Sequence, residues 1–244
     1  MTVIRRNHPE TFKAPYAIEA IGISKEYREG ENSLRVLERV DLAVPQGEML
    51  AIMGPSGSGK STLLGCLSGL DTVSEGQIFI AGTEITRLSE NRLASVRNRE
   101  IGFVFQTFNL ISTLSAQENV ELPILLHGRG GFNAKDRARE LLDLVGLSQR
   151  RGHRPGQMSG GEQQRVAIAR ALANDPPIIF GDEPTGNLDS ANGEAVMNLL
   201  TRLNSELRKT LILVTHDPRI AARCSRTVTM RDGRLATQSI AQAS

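Results

Sequence analysis

Cysteine is scarce in this sequence. The two residues, Cys66 and Cys224, lie far apart and form no C-x-x-C pair. A disulfide framework or a thiolate zinc site is therefore not expected, and the usage fits a reducing compartment. Long apolar runs are missing as well. No uninterrupted stretch approaches the roughly 18–20 residues that a bilayer-spanning helix needs. The start, Met1–Lys13, is polar and has no apolar signal core. If the protein acts at a membrane, the expectation is that another chain does the spanning. Nor is there an excess of one charge: 29 basic and 27 acidic residues leave a net +2. That gives no whole-chain case for nucleic-acid binding, whose usual footprint is a basic stripe. The short cluster Arg150, Arg151, His153 and Arg154 reads as a solvated loop. No internal repeat or low-complexity tract is present.

What is present is an ordinary globular composition, 39% hydrophobic and 23% charged over 244 residues. The length fits one large α/β domain, or a core with a small inserted subdomain. Strand patterns occur at Ala17–Ile23, Val40–Val44, Met49–Met53, Gly76–Ile80, Ile101–Phe105, Ile178–Gly181 and Thr210–Val214. Helical patterns fall between them, at Ser61–Ser68, residues 87–99, Ala116–His127, Ala134–Leu144, Gly161–Ala173 and Ser190–Leu203. A glycine-rich, flexible segment at 128–131 splits the two central helices, and about 110–158 reads as an inserted helical subdomain. Asp232-Gly233 between two short apolar runs signals a hairpin. The strand–helix alternation predicts a mainly parallel sheet with helices on both faces.

Gly54-Pro55-Ser56-Gly57-Ser58-Gly59-Lys60-Ser61 follows an apolar strand and opens a helix. It matches the phosphate-binding pattern G-x-x-x-x-G-K-[ST]. Its glycines let backbone N–H groups turn inward on an anion, and the following helix offers its positive end. Lys60 is placed to reach the β- and γ-phosphates of ATP, Ser61 to ligate Mg²⁺, and Thr62 to support the phosphates. Such a loop needs a carboxylate at a neighbouring strand end for the metal. Asp182 supplies it, and Glu183 beside it is the candidate general base for the attacking water. His216, at the C-terminal end of a strand, points toward the usual ligand crevice. It is a candidate for contacting the γ-phosphate, although a lone histidine is more often structural. Gln106 closes another strand and is a candidate Mg²⁺ ligand and γ-phosphate sensor.

Met158-Ser159-Gly160-Gly161-Glu162-Gln163-Gln164-Arg165 adds a second helix-opening turn suited to an anion. One nucleotide does not need two such sites from one chain, so this one is expected to face ATP held by another copy. Its alternative is an ordinary N-capped helix. With the P-loop, Gln106, Asp182-Glu183, Asn187-Leu188-Asp189 and His216 in this order, the sequence over residues 17–237 resembles an ABC transporter nucleotide-binding subunit. The resemblance implies an α/β P-loop NTPase fold, an ABC-type domain over 17–240 behind an N-terminal arm at 1–16. It would carry an antiparallel β subdomain and the inserted α-helical subdomain. Further implied are in-trans ATP contacts through Ser159, Gly160, Gly161 and Glu162, with Asp189 coupling the two sites, and stacking of adenine on Tyr27.

Gly102–Ile111, Glu118–Pro123 and Gly181–Asp189 resemble the lipoprotein-release and macrolide-export branch. Ile111–Leu114 and Ala221–Cys224 look most like its YbbA-type ATPases. That branch implies a homodimer on the cytoplasmic face of the inner membrane and separate integral-membrane permease subunits. A periplasmic accessory protein and no nucleic-acid partner are also implied. Closure of the dimer would drive the permease by mechanotransmission, and lipoproteins, amphiphilic drugs, peptides and lipids are all open as cargo. The competing reading is a non-transport motor that regulates an envelope enzyme through a membrane partner. A soluble ABC protein of ribosomes or DNA is disfavoured by the single nucleotide domain and the lack of a long coiled-coil insertion. Phe108, Leu110, Ile111 and Leu114 are either core or part of a groove for a permease helix.

Overall fold

The computed structural model describes residues 15–30, 32–127 and 133–240. The arm expected over 1–16 lies outside them except for its last two residues, and so does the segment 128–131. Two sheets build the framework. The first comprises β1 (Tyr16–Glu29), β2 (Asn32–Pro45), β4 (Glu75–Ile80) and β5 (Thr83–Glu84), all antiparallel, in the order β2-β1-β4-β5. The second comprises β3 (Met49–Met53), β6 (Ile101–Phe105), β7 (Ile178–Asp182), β8 (Thr210–Val214), β9 (Arg226–Arg231) and β10 (Arg234–Ile240). Its order is β10-β9-β3-β8-β7-β6. Four neighbours are parallel, and only the β9–β10 hairpin around Asp232-Gly233 is antiparallel.

The second sheet is buried on both faces, which is why its central strands read as unbroken apolar runs rather than alternating ones. Side chains leave a strand on opposite faces in turn. Leu50, Ile52, Ile178, Phe180, Ile212 and Val214 pack on one side, with α1 (Lys60–Leu67), α2 (Glu90–Glu100) and the antiparallel sheet. Met49, Ala51, Ile179, Leu211 and Leu213 pack on the other. There they meet α5 (Gly160–Ala171) and α6 (Ser190–Ser205), and α3 (Ala116–His127) and α4 (Ala134–Leu144) extend the same cluster. A short α7 (Pro218–Ala221) caps the β3 side. Among the described residues no helix is long and apolar enough to cross a membrane.

β1 and β2 run well beyond the strands predicted from sequence. Their outer halves pair as Glu26↔Arg35 and Tyr27↔Leu34. These residues are mostly solvent-exposed and polar, so no apolar alternation marks them.

At the edge of the parallel sheet, Gly102 in β6 meets the end of α5. A Cβ added there would lie 2.4 Å from the Ala171 carbonyl oxygen. That obstacle is backbone, which cannot rotate away. Gly102→Ala is therefore expected to destabilise the fold by about 1–3 kcal/mol, the usual cost of overpacking. A lowered urea midpoint with unchanged slope is the check.

Candidate functional site

The buried strand β3 delivers the chain into the glycine-rich loop, and α1 begins at Lys60. Gly59 is the N-cap at φ 96°, a left-handed conformation that glycine adopts without strain. A Cβ here would also press on the Val36 carbonyl oxygen at 2.9 Å. No side chain caps α1, and no acidic residue stands in its first turn. Its N–H groups and positive dipole end are thus left for an anion. Lys60 Nζ donates to the Pro55 carbonyl oxygen at 2.8 Å. The loop borders a cleft of about 350 Å³ lined by Ser56, Gly57, Gly59, Lys60, Ser61 and Thr62. Val36, Asp182, Glu183 and Val214 complete the lining.

The opposite wall comes from the ends of β7 and β8. Ser61 Oγ donates to Asp182 Oδ1 at 3.4 Å. Burial pushes the Asp182 carboxyl above the ordinary range, and the Glu183 carboxylate adds to this. The Ser61 hydroxyl and the Lys60 ammonium oppose it. Glu183 has φ 48°, and its N–H donates to the Val214 carbonyl oxygen at 2.9 Å. That turn swings the side chain so that Oε1 lies 2.8 Å from His216 Nδ1. The pair is asymmetric in exposure: the Glu183 side chain is 17% exposed and that of His216 73%. A serine hydroxyl and two carboxylates form a hard oxygen donor set of the kind Mg²⁺ prefers. That ion usually takes one or two carboxylates and leaves its other positions to phosphate and water. Among the described residues no group of three or more His, Cys, Asp or Glu could hold a metal alone. The residues fit Mg²⁺ arriving with a nucleotide, because a cation relieves the desolvated Asp182 carboxylate and the negative charge of Glu183 beside it.

A family model described as ABC transporter matches residues 37–186, more than half of the chain. The chain belongs to the ABC transporter family. It is similar to the lipoprotein-releasing system ATP-binding protein LolD of Shewanella sp. (strain MR-7). The identity is 46%, over 92% of this chain and 96% of that protein. It is also similar to the macrolide export ATP-binding/permease protein MacB 1/2 of Paracoccus denitrificans, 51% identical over 88% of this chain. There it spans 32% of the relative's length, about a third. Among solved structures, the dimeric ATP-binding cassette MJ0796 in a post-hydrolysis state with ADP and Pi matches with a TM-score of 0.86 and 43% identity. The match covers 93% of this chain and 100% of that one. The protein is thus an ABC-type ATPase, an ATP-binding subunit of the MacB/LolD type.

The remaining expected residues of the ABC ATPase do not line the cleft. Gln106 Nε2 donates to Asn187 Oδ1 at 3.1 Å, and Asn187 Nδ2 returns a bond to the Gln106 carbonyl oxygen at 3.0 Å. Ser159 caps α5: its Oγ accepts from the Glu162 N–H at 3.2 Å, and Glu162 Oε2 accepts from the Ser159 N–H at 2.8 Å. Gly160 lies beside Leu188 and Phe108, and Gly161 backs onto Asn192. Asp189 caps α6 through the Asn192 N–H at 2.9 Å. Tyr27 stands exposed on β1, its hydroxyl on Asp71. Of the apolar residues after Gln106, Leu110 packs on the core and Ile111 is exposed.

The arginine cluster is more than a solvated loop. Arg150 Nε donates to Glu162 Oε1 at 2.9 Å, and Arg151 pairs with Asp143. The carbonyl oxygens of Arg151 and His153 accept from Gln117 and Ala116 at the start of α3. The ion-pair partners lie 12 and 8 residues away, outside any local pattern.

Several residues that bind the site together carry no sequence signal of that role. Gln164, fully buried on α5, donates to the carbonyl oxygens of Phe105 and Pro184, each one residue from Gln106 or Glu183. Arg170 donates to the carbonyl oxygens of Phe108 and Asn109, both at positive φ. Asn119 holds the segment Ile111–Ser115 through four hydrogen bonds.

Proposed function

We propose that this ABC ATPase hydrolyses MgATP as half of a head-to-tail homodimer whose closure drives a membrane permease on separate polypeptides. The observation that carries the proposal is the Glu183–His216 pair standing at the strand ends across from the Lys60 loop. Lys60 holds the β- and γ-phosphates, and the open end of α1 receives their charge. Glu183 accepts a proton from the attacking water, and His216 fixes the Glu183 carboxylate and reaches the γ-phosphate. Ser61 and Asp182 would hold Mg²⁺, joined by Gln106 on moving in from beside Asn187, and the ion would neutralise charge on the phosphate oxygens. Ser159, Gly160, Gly161 and Glu162 of the second copy close on the γ-phosphate, and Asp189 links the two sites. Support for the homodimer comes from the dimeric MJ0796 cassette. Support for separate permease chains comes from LolD, matched over 96% of its length, whereas MacB joins both functions in one name.

The ATPase sits on the cytoplasmic face of the inner membrane in this reading. A groove of about 330 Å³ runs along the edge of β6, lined in part by Ile101, Phe103, Phe105, Pro123 and Arg170. It suits an element of the permease, with residues 110–158 acting as the moving helical subdomain. The work proposed is export or extraction of a hydrophobic or amphiphilic substrate or a lipoprotein.

Lys60→Ala removes a charge-assisted contact of roughly 1.5–3 kcal/mol. It is expected to lower ATP affinity or turnover by about 10–100-fold. Unchanged ATPase activity would remove the loop from the site. For the membrane part, the ATPase locked with MgATP is captured from detergent-solubilised membranes. A polytopic protein with a large extracytoplasmic domain is expected to co-purify in fixed stoichiometry. Purely soluble partners would leave the ATPase standing and overturn the permease.

A further inference from the structure

Lys25 on β1 is only 7% exposed, a rare place for a lysine unless its charge is paired. Its ammonium donates to Asp71 Oδ1 at 2.6 Å and to the Thr72 carbonyl oxygen at 2.6 Å. The second carboxylate oxygen, Asp71 Oδ2, accepts from the Tyr27 hydroxyl at 2.6 Å. The same ammonium lies 4.7 Å from the centroid of the Tyr27 ring. One carboxylate thus ties a buried cation to a phenol, and the cation covers one face of the ring. Tyr27 as a whole residue remains 44% exposed. A tyrosine has two side-chain torsions, and a fixed hydroxyl together with a covered face removes most of that freedom.

The anchor is rigid. The N–H groups of Leu70 and Asp71 both donate to the Gly65 carbonyl oxygen, at 2.9 and 3.0 Å, so Asp71 is strapped to the end of α1. Ser74 N–H donates to the Ser24 carbonyl oxygen at 2.8 Å, and Ser74 Oγ accepts from the Glu26 N–H at 3.0 Å, which ties the segment to β1. The helix that begins with Lys60 and Ser61 and closes at Leu67 is therefore followed at once by the segment whose carboxylate aims Tyr27. Phosphate cradle and ring are spaced by one element.

We propose that Asp71 and Lys25 are positioning residues for recognition of the nucleotide base. They hold the Tyr27 ring so that the face away from Lys25 receives the purine of ATP. The inference rests on the reading of Tyr27 as the base platform. Pre-orienting the ring lowers the ordering cost of binding, so the clamp acts on affinity and not on the chemical step.

The test uses ATPase kinetics, with tripolyphosphate as a competitive inhibitor that has phosphates and no base. Tyr27→Phe keeps the ring and removes the tie at an exposed position, where folding is not at risk. It is expected to raise KM for ATP about 3–10-fold, the weight of one hydrogen bond. The kcat should stay within about twofold and the tripolyphosphate Ki should not change. Asp71→Ala, which leaves no side-chain partner for the Tyr27 hydroxyl, is expected to raise KM similarly, and the double variant no further, because both remove the same Tyr27–Asp71 bond. If Tyr27→Ala raises KM while Tyr27→Phe and Asp71→Ala do not, the clamp is overturned and stacking stands. If Tyr27→Ala leaves KM unchanged, stacking falls and the clamp with it. If the tripolyphosphate Ki rises in step with KM, the effect lies in the phosphate cradle and the clamp is overturned.

Discussion

Glu183→Gln is expected to slow steady-state ATP hydrolysis by about 10²–10⁴-fold, the usual contribution of a positioned general base, while ATP binding stays near wild type. The side chains have nearly the same shape, so the turn at the end of β7 need not move. That turn is held by the Glu183 N–H on the Val214 carbonyl oxygen, a backbone bond the substitution does not touch. A carboxamide oxygen can still accept from His216 Nδ1, which now lies 2.8 Å from Glu183 Oε1. What the amide cannot do is take a proton from water. Lys60, Ser61 and Asp182 are unchanged, so the nucleotide remains bound and unhydrolysed. Two copies that each hold ATP against the other's Ser159 and Gly161 then stay closed. Size-exclusion chromatography with MgATP should show a dimer that dissolves when MgADP replaces it, and phosphate release should be slow. Rapid turnover by this variant would remove Glu183 as the base. Slow turnover without a stable dimer would keep the base and detach it from closure.

The parts of this protein that were legible in the sequence are those whose physics is local. β3, β7 and β8 are buried on both sides and so appear as short apolar runs. The loop from Gly54 to Ser61 owes its pattern to a backbone path that only certain residues allow. The Asp232-Gly233 hairpin follows from turn chemistry. The illegible parts depend on partners far along the chain. Nothing near Tyr27 announces that its hydroxyl bonds to a residue 44 positions away. Gln106 and Asn187 find one another across 81 positions. Gln164 and Arg170 look like ordinary polar residues of an amphipathic helix until the loops they hold are folded over them. The outer half of the β1–β2 hairpin was missed for the opposite reason: it is held by ladder hydrogen bonds with little burial, and burial is what periodicity detects. The same local logic makes the α5 opening ambiguous, since one Ser-Gly-Gly-Glu stretch serves equally as a capping box and as a phosphate site.

Ser159→Arg resolves that ambiguity, because the two roles predict different losses. As a cap, the serine hydroxyl accepts from the Glu162 N–H at 3.2 Å, and Glu162 Oε2 accepts from the Ser159 N–H. The second bond is to backbone and survives any substitution. Losing the first costs about 0.5–2 kcal/mol, and α5 is otherwise held by buried residues such as Val166, Ile168 and Ala169. The variant should therefore fold and bind ATP in its own cleft with near-normal affinity, since Ser159 does not line that cleft. As an in-trans contact, the position must let another copy's γ-phosphate approach the α5 N–H groups. A guanidinium is attracted to phosphate, but its length fills the gap and holds the copies apart. Loss of those donors is expected to cost about 10²–10³-fold in kcat, as for other preorganised anion sites. In the Glu183→Gln background it should abolish the MgATP-dependent dimer. Ser159→Ala separates the effects, because it removes the cap hydroxyl without adding bulk. A cap-only role makes the two variants equally mild. A closure role makes Ser159→Arg far more damaging than its melting temperature accounts for. Wild-type ATPase activity in Ser159→Arg would mean that one chain holds the complete site, and the head-to-tail dimer would have to be abandoned as the working unit.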